Sequence, residues 1–432
     1  MTHPAAPQPS RRALLRGVAA AGLGLAWAAR ARVPQALAAP PGPGAPLPLM
    51  GPMVGHATPT TCSLWASAGV GARLSVALRR ADEPVAAARR LPLVADPEDP
   101  AVQRITLAGL EPGTRYAYQL AWNEHEEPGW AGAFATPRPE GTRGLTRLAT
   151  SSCMKPSFPG TSFELLRAAQ PDFHLLLGDN AYHDSTQEEL IWRAHREMRA
   201  VPQLARLLRE VPTYATWDDH DFAGDDTDGT HVGKRRSLRC FRALFANPAY
   251  GLPGVPGVFC SFRWNDLEVF LLDVRYHRSP NKQPDGPGKR MLGEAQMDWL
   301  AAGLAASTAT FKLVASSSVL DSPEGDSWQQ FPTDRARLFS VLREHAVGGV
   351  VFLTGDLHWC EVRVHPPALT GTYGVPEVIS SGIANSKARG FAVLEADTAQ
   401  DDPVLRVRLL DGQQRITAEH AFLRSALGPS PR

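Results

Sequence analysis

Four short segments of this chain put acid, base or metal-ligating side chains directly behind apolar runs. They are Ser151-Ser152-Cys153, Gly178-Asp179-Asn180-Ala181-Tyr182, Trp217-Asp218-Asp219-His220-Asp221 and Gly355-Asp356-Leu357-His358-Trp359. An Asp at a strand end with a Tyr three residues on can present a carboxylate and a phenolate to one ion. Asp and His two apart on an extended segment, as Asp356 and His358 are, point the same way and can meet a common centre. Each residue alone has an ordinary explanation. A strand-end Asp caps the next helix, a buried His hydrogen-bonds within a core, and a lone Cys in an exported protein is half of a disulfide. The four together, in this order, point to one site at the ends of several strands.

Such side chains need a sheet to present them. Apolar runs at 145–151, 172–177, 269–274, 312–316, 350–354 and 377–380 read as strands. Helical periodicity recurs at 162–169, 188–198, 201–208, 237–245 and 294–305. The alternation predicts a sheet covered by helices, and 403–410 with 413–421 around Asp411-Gly412 reads as a hairpin. The region 48–137 has a different pattern, with short strand-like runs at 61–66, 72–79, 102–107 and 115–122 bounded by Pro, Gly and Asp. Within it, Leu110-Glu111-Pro112-Gly113-Thr114-Arg115-Tyr116 resembles the tyrosine corner of fibronectin type III-like sandwiches; the alternative is an ordinary turn before a strand. No catalytic cluster lies there, so the region reads as a structural or substrate-positioning module. There is no internal repeat.

Ahead of both regions, Ser10-Arg11-Arg12-Ala13-Leu14-Leu15 leads an apolar stretch at 17–29 and the small-x-small site Ala36-Leu37-Ala38. This is the pattern of a twin-arginine export signal. It assigns 1–39 to a signal peptide read by the twin-arginine machinery, and the Pro/Gly run at 40–47 to a linker. The expected protein is exported and soluble, in the periplasm or outside the cell. Five of the 45 basic side chains lie before Ala39 and none of the 44 acidic ones do. The mature chain therefore has a slight acidic excess and no nucleic-acid-binding signal. No other stretch approaches the ~20 apolar residues that span a bilayer. A 432-residue chain with 43% hydrophobic residues can bury a large catalytic domain and a smaller companion. Its five cysteines, an odd number in an oxidising compartment, leave at least one thiol outside any disulfide. Cys153 is the candidate, and Cys240 and Cys260 could pair.

The order strand–Cys, Gly-Asp-x-x-Tyr, Trp-Asp-Asp-His and Gly-Asp-x-His resembles the PhoD family of alkaline phosphatases and phosphodiesterases, relatives of the purple acid phosphatases. Segments 272–278 and 292–300 are similar to further family segments, and the likeness runs from the signal to Ser380-Ser381-Gly382. It implies an α/β (α+β) metallophosphoesterase fold over 144–432: a double β-sheet sandwich flanked by helices, preceded by the small all-β domain. It also implies Fe³⁺ held by Cys153, Asp179, Tyr182 and His358. Thiolate, phenolate, carboxylate and imidazole suit a highly charged transition metal. Asp179 then bridges to Ca²⁺, where Asp356 joins it; an oxygen-only site fits Ca²⁺ or Mg²⁺ better than Zn²⁺, with Mn²⁺ a further option.

Trp-Asp-Asp-His stands where relatives carry Gly-Asn-His-Glu, which by position makes Asp219 a second-metal ligand and turns His220 to the phosphate. Asp225, Asp226 and Asp228 either add ligands or form a solvated acidic loop. Arg275 is either a bidentate phosphate clamp or half of a surface salt bridge, and Asn180 is assigned to the substrate. The implied reaction is hydrolysis of phosphodiesters or monoesters by a metal-bound hydroxide, the water's pKa falling from about 15.7 towards neutrality. His220 would stabilise the transition state or protonate the leaving oxygen. A purple acid phosphatase-like monoesterase is the nearest alternative, but that group has Asp where this chain has Cys153, and 314–318 supplies no upstream His. An exported binding protein with an inert metal domain, and a serine enzyme built on Ser151 or Ser152, are the others. The last has no Gly-x-Ser-x-Gly elbow.

Overall fold

The structure is a computed structural model that describes residues 50–68, 71–322, 326–385 and 389–429. The signal peptide and linker expected over 1–47 lie outside the described residues. Period-2 alternation in the first ninety described positions builds two four-stranded antiparallel sheets. One holds Met50–Ala57, Thr61–Ser67, Val102–Ala108 and Val94–Ala95; the other holds Arg89–Pro92, Leu74–Arg80, Arg115–Trp122 and His125–Ala135. Leu64, Val76, Leu107, Leu120 and Phe134 are buried in them. The Tyr116 hydroxyl accepts the backbone N–H of Glu111 at 2.8 Å, tying the turn to the strand that follows. Four strands here had no clear sequence signal. Met50–Ala57 and His125–Ala135 carry Gly and Pro within the run, and Arg89–Pro92 and Val94–Ala95 are short and polar or exposed.

From Leu145 two six-stranded mixed sheets form. The first runs Thr213–Thr216, Phe173–Leu177, Leu145–Ser151, Gly390–Asp397, Val404–Asp411, Ile416–Leu423, with its first three strands parallel. The second runs Cys260–Trp264, Leu267–Leu271, Phe311–Ser316, Val350–Thr354, Val375–Ser380, Cys360–His365, with the middle four parallel. The pleat divides the first sheet's strands between two cores. Leu148, Leu175, Leu177 and Leu394 join an apolar cluster with Phe262, Val269 and Leu313 of the second sheet. Ala149, Leu176 and Val393 join another with Phe163, Ile191, Leu204 and Phe241 of the covering helices Thr161–Ala168, Glu188–Arg199, Pro202–Glu210 and Lys234–Leu244. Full burial of each such Leu or Phe contributes roughly 1.5–3 kcal/mol.

The sandwich rests on the helical layer. Tyr118 donates its hydroxyl to the Arg209 carbonyl at 3.0 Å, and the Trp65 indole donates to the Ala243 carbonyl at 2.8 Å. At Gly55 a Cβ would lie 2.4 Å from that of Ala246, so only glycine permits this approach. All five cysteines are free thiols; Cys240 and Cys260 do not pair. Among the described residues no helix is long and apolar enough to cross a membrane.

Candidate metal centre

The parallel strands of both sheets end in one place, so the four polar segments, far apart in sequence, meet there. Cys153 follows Leu145–Ser151, Asp179 follows Phe173–Leu177, Asp218 and Asp219 follow Thr213–Thr216, and Asp356 and His358 follow Val350–Thr354. The backbone is left-handed at Cys153 (φ 59°), Asp179 (55°), Asp356 (69°) and His358 (60°). Non-glycine residues rarely occupy this region, and their concentration marks stored strain of the kind found at functional sites. At Gly178 (φ +96°) a Cβ would lie 2.7 Å from the Asp218 Cβ and 2.9 Å from the Ser317 Cβ. Glycine there lets the Asp179 turn close against its neighbours.

Two poles are distinguishable. At the first, the Cys153 thiol points at Asp179 Oδ2 (3.4 Å) and receives the Ser381 hydroxyl (3.1 Å). Tyr182 OH lies 3.1 Å from His358 Nε2, and the Asn385 amide donates to both, at 2.7 and 2.8 Å. Ligating atoms of Cys153, Asp179 and His358 all lie within 4.8 Å of one another. At the second, the same holds for Asp179, Asp219 and His220, and for Asp218, Asp219 and Asp326. Asp179 Oδ1, Asp219 Oδ1 and Asp218 Oδ2 are buried without any hydrogen-bond donor.

The electrostatics agree. Burial, then the charge on Asp219 and Asp218, pushes the Asp179 carboxyl far above the usual carboxylate range. Burial and the same two carboxylates, with Asp326, push Asp356 up, and burial and Asp179 push up the Cys153 thiol. Anions this poorly compensated call for a cation. These acceptors and thiol therefore fit a metal centre with one sulfur-, nitrogen- and oxygen-ligated position and one carboxylate position.

Around the poles sit groups that hold rather than react. Asp221 accepts the backbone N–H groups of Asn180 (3.1 Å), Ala181 (3.0 Å) and Asp218 (3.2 Å), clamping two loops together. Asn180, expected at the substrate, is buried beneath this loop, its amide N–H donated to the Thr216 carbonyl and to Asp221. It is a brace. Arg275, expected as a phosphate clamp or a surface salt bridge, is buried as well. Its side chain is 0% exposed, which excludes a surface salt bridge, and its donors go to Asp218, Asp326 and the Thr227 carbonyl. The guanidinium lies beneath the carboxylates, with no free fork for a phosphate. Asp218 is still held up to about 6, because burial outweighs that pairing. Of the loop acids, Asp225 and Asp226 are exposed and Asp228 accepts from Thr230; none belongs to a ligand group.

His220 is half-buried at the rim. Its Nδ1 meets Asp184 Oδ1 at 2.5 Å, and its ring packs on Tyr182 at 4.2 Å between centroids. Burial alone would lower its pKa, but Asp219, Asp184 and Asp218 together raise it. Asp326, Asn385 and Ser381 were not found from sequence. Asp326 follows no apolar strand directly, Asn385 lies five residues past the strand Val375–Ser380, and Ser381, which follows that strand, is a residue type too common to mark a site. A third group, His183, His195 and Asp221, lies behind the loop. Burial, and then the buried Arg199 guanidinium, lowers the proton affinity of His195 there, and that guanidinium would also repel a metal.

Residues 148–408 match the family model of the PhoD-like phosphatases. Alkaline phosphatase D of Bacillus subtilis (strain 168) is 25% identical over 305 residues, covering 58% of this chain and 52% of the relative. The chain thus spans about half the length of the curated relative it matches. Among solved structures, that of PhoD superposes with a TM-score of 0.73 at 16% identity, covering 89% of this chain and 90% of the other. The purple acid phosphatase PPD1 from yellow lupin (Lupinus luteus) seeds gives 0.63 at 13% identity, covering 86% and 74%. The architecture is therefore a metallophosphoesterase-like α/β fold. With more than half of its length matched by the family model, the chain belongs to the PhoD-like phosphatase family, a family of phosphoric ester hydrolases.

Proposed function

We propose that this protein is an exported, metal-dependent phosphoesterase of the alkaline phosphatase D type. The observation that carries the reading is the set of buried, donor-less carboxylate oxygens on Asp179, Asp218 and Asp219, beside a thiol, a phenol and an imidazole at the meeting point of two sheets. Cys153, Asp179, Tyr182 and His358 would hold Fe³⁺, and Asp179, Asp219 and Asp356 would hold Ca²⁺. Bound there, the cations would supply Lewis-acid neutralisation of the phosphoryl charge and acidify the attacking water.

The chain's own residues do the rest. Ser381 and Asn385 orient the thiol, the phenol and the imidazole. Arg275 and Arg278, both bound to Asp326, hold the carboxylate bed in place. His220, its Nδ1 turned to Asp184, would use Nε2 to pass a proton to the leaving oxygen. The sandwich before it is assigned to a fibronectin type III-like support domain. Export rests on the twin-arginine pattern at 10–38.

Hydrolysis of a chromogenic phosphodiester and its monoester counterpart, with added Ca²⁺ and again after exhaustive chelation, tests the reading. Turnover that chelation abolishes is expected, and the faster ester identifies the substrate class. Full activity in chelated, metal-free protein would overturn it. Protein with neither metal nor turnover would favour an exported binding protein.

A further inference from the structure

We infer that Lys155 is the substrate-binding cation of this centre, its ammonium contacting the anionic oxygens of the phosphoester; this rests on the phosphoesterase reading above. An ester of phosphoric acid arrives negatively charged, and beside the bound cations a positive side chain at the rim would help to hold it. Arg275 and Arg278 do not serve. Both are buried and spent on Asp218 and Asp326.

Lys155 stands two residues beyond Cys153, half-buried. Its backbone N–H donates to the Ala384 carbonyl at 2.9 Å, which ties it to the segment that delivers Asn385 to Tyr182 and His358. Its Nζ lies 4.0 Å from the centroid of the Tyr182 ring, and the hydroxyl of that ring reaches His358. Among the described residues the ammonium has no ion pair and no side-chain hydrogen bond. An aromatic face orients a cation but satisfies none of its three donors. What satisfies them is an anion placed over the Tyr182–His358 edge, where the reacting phosphate belongs. A lysine suits this role because it meets phosphate as a point charge, without the fixed fork of arginine.

A monoester carries more negative charge than a diester, so Lys155 favours the monoester. The test compares wild type, Lys155→Met, which keeps the aliphatic stem without the charge, and Lys155→Arg, in the full metal-loaded chain. KM and kcat for a chromogenic monoester and diester, the inhibition constant of inorganic phosphate, and metal content are read together. Lys155→Met is expected to raise KM and the phosphate inhibition constant roughly tenfold to a hundredfold, the worth of one charge-assisted hydrogen bond. The effect should be larger for the monoester, with metal content held, and Lys155→Arg should restore most of it. Unchanged KM and phosphate inhibition in Lys155→Met would overturn the assignment, as would losses confined to kcat with falling metal content. Wild type that holds metal but turns over neither ester would instead sink the phosphoesterase reading, and this assignment with it.

Discussion

Asp179 is held by strain and by neighbours that repel it. Its backbone is left-handed, its carboxyl buried, and three further aspartates stand close. Asn tolerates the same backbone, so Asp179→Asn removes the charge without forcing the turn open. The expected outcome is loss of bound metal and at least ~10²-fold of activity, since the ligand shared by both poles is gone. With metal stripped from both proteins, the variant should melt above wild type, because the amide avoids the cost of burying a carboxyl among other carboxylates. Elemental analysis and calorimetry of chelated protein check this; equal metal content would sink the ligand assignment. Asp221 plays the opposite part. Asp221→Ala leaves the N–H groups of Asn180, Ala181 and Asp218 unpartnered, at about 1–3 kcal/mol each. A total of about 3 kcal/mol or more should appear in chemical denaturation, with or without metal.

At the scale of the element, the site depends on how closely strand ends approach. Gly178 joins the Phe173–Leu177 strand to the Asp179 turn at a positive φ, with Asp218 and Ser317 where a side chain would go. Gly178→Ala should cost about 2 kcal/mol or more of stability and lower activity with it, since loops bearing ligands must part. A variant with wild-type melting and turnover would show that the turn has slack. The junction with the sandwich is less strict. Tyr118→Phe removes one hydrogen bond to the Arg209 carbonyl and should cost about 1 kcal/mol, with activity intact. The strands and helices carrying the site were legible because their apolar runs are long and end in recognisable polar segments. The strand Cys260–Trp264 and the edge strand Cys360–His365 were not, because each alternates apolar with polar residues over only five or six positions. The continuous strand Gly390–Asp397 was also missed. It is buried on both faces, and such a run cannot be separated from helix by periodicity.

For the whole molecule, buried histidines set the response to acid. His174 is fully buried against the Ser151 hydroxyl and His56 packs on Tyr214 and Phe262; burial lowers them to about 3 and about 4. Both are neutral when folded, and both take up a proton near 6.5 when unfolded. The unfolded chain therefore binds more protons below pH 6.5, and the stability they contribute is lost as pH falls from there towards 4. Each should account for about 3 kcal/mol by pH 4. The buried Asp218 and Asp221, raised to about 6 and about 7, act in the opposite sense by taking up protons in the folded state as pH falls. Removing one histidine isolates its share. The melting temperature of metal-loaded His174→Leu should fall less steeply than that of wild type between pH 6.5 and 4, whatever its offset at neutral pH. Parallel curves would show that His174 titrates normally.

The sequence by itself determined which residue types could gather a cation, because Cys153, Asp179, Tyr182, Asp219, Asp356 and His358 each sit at or just beyond an apolar run. It determined the layered arrangement too, since alternating strand and helix periods leave few ways to bury both. It did not foresee the burial or the internal partners of Arg275 and Asn180. A guanidinium or an amide in a loop serves equally to grip a phosphate or to brace a backbone, and burial and partners decide which. Only the tertiary structure buried Arg275 beneath Asp218 and Asp326, brought Asn385 and Ser381 in from a distant strand end, and left Lys155 as a cation without a carboxylate partner among the described residues. Those pairings join positions up to 228 residues apart. Such contacts arise from the convergence of two sheets, and no local pattern encodes them.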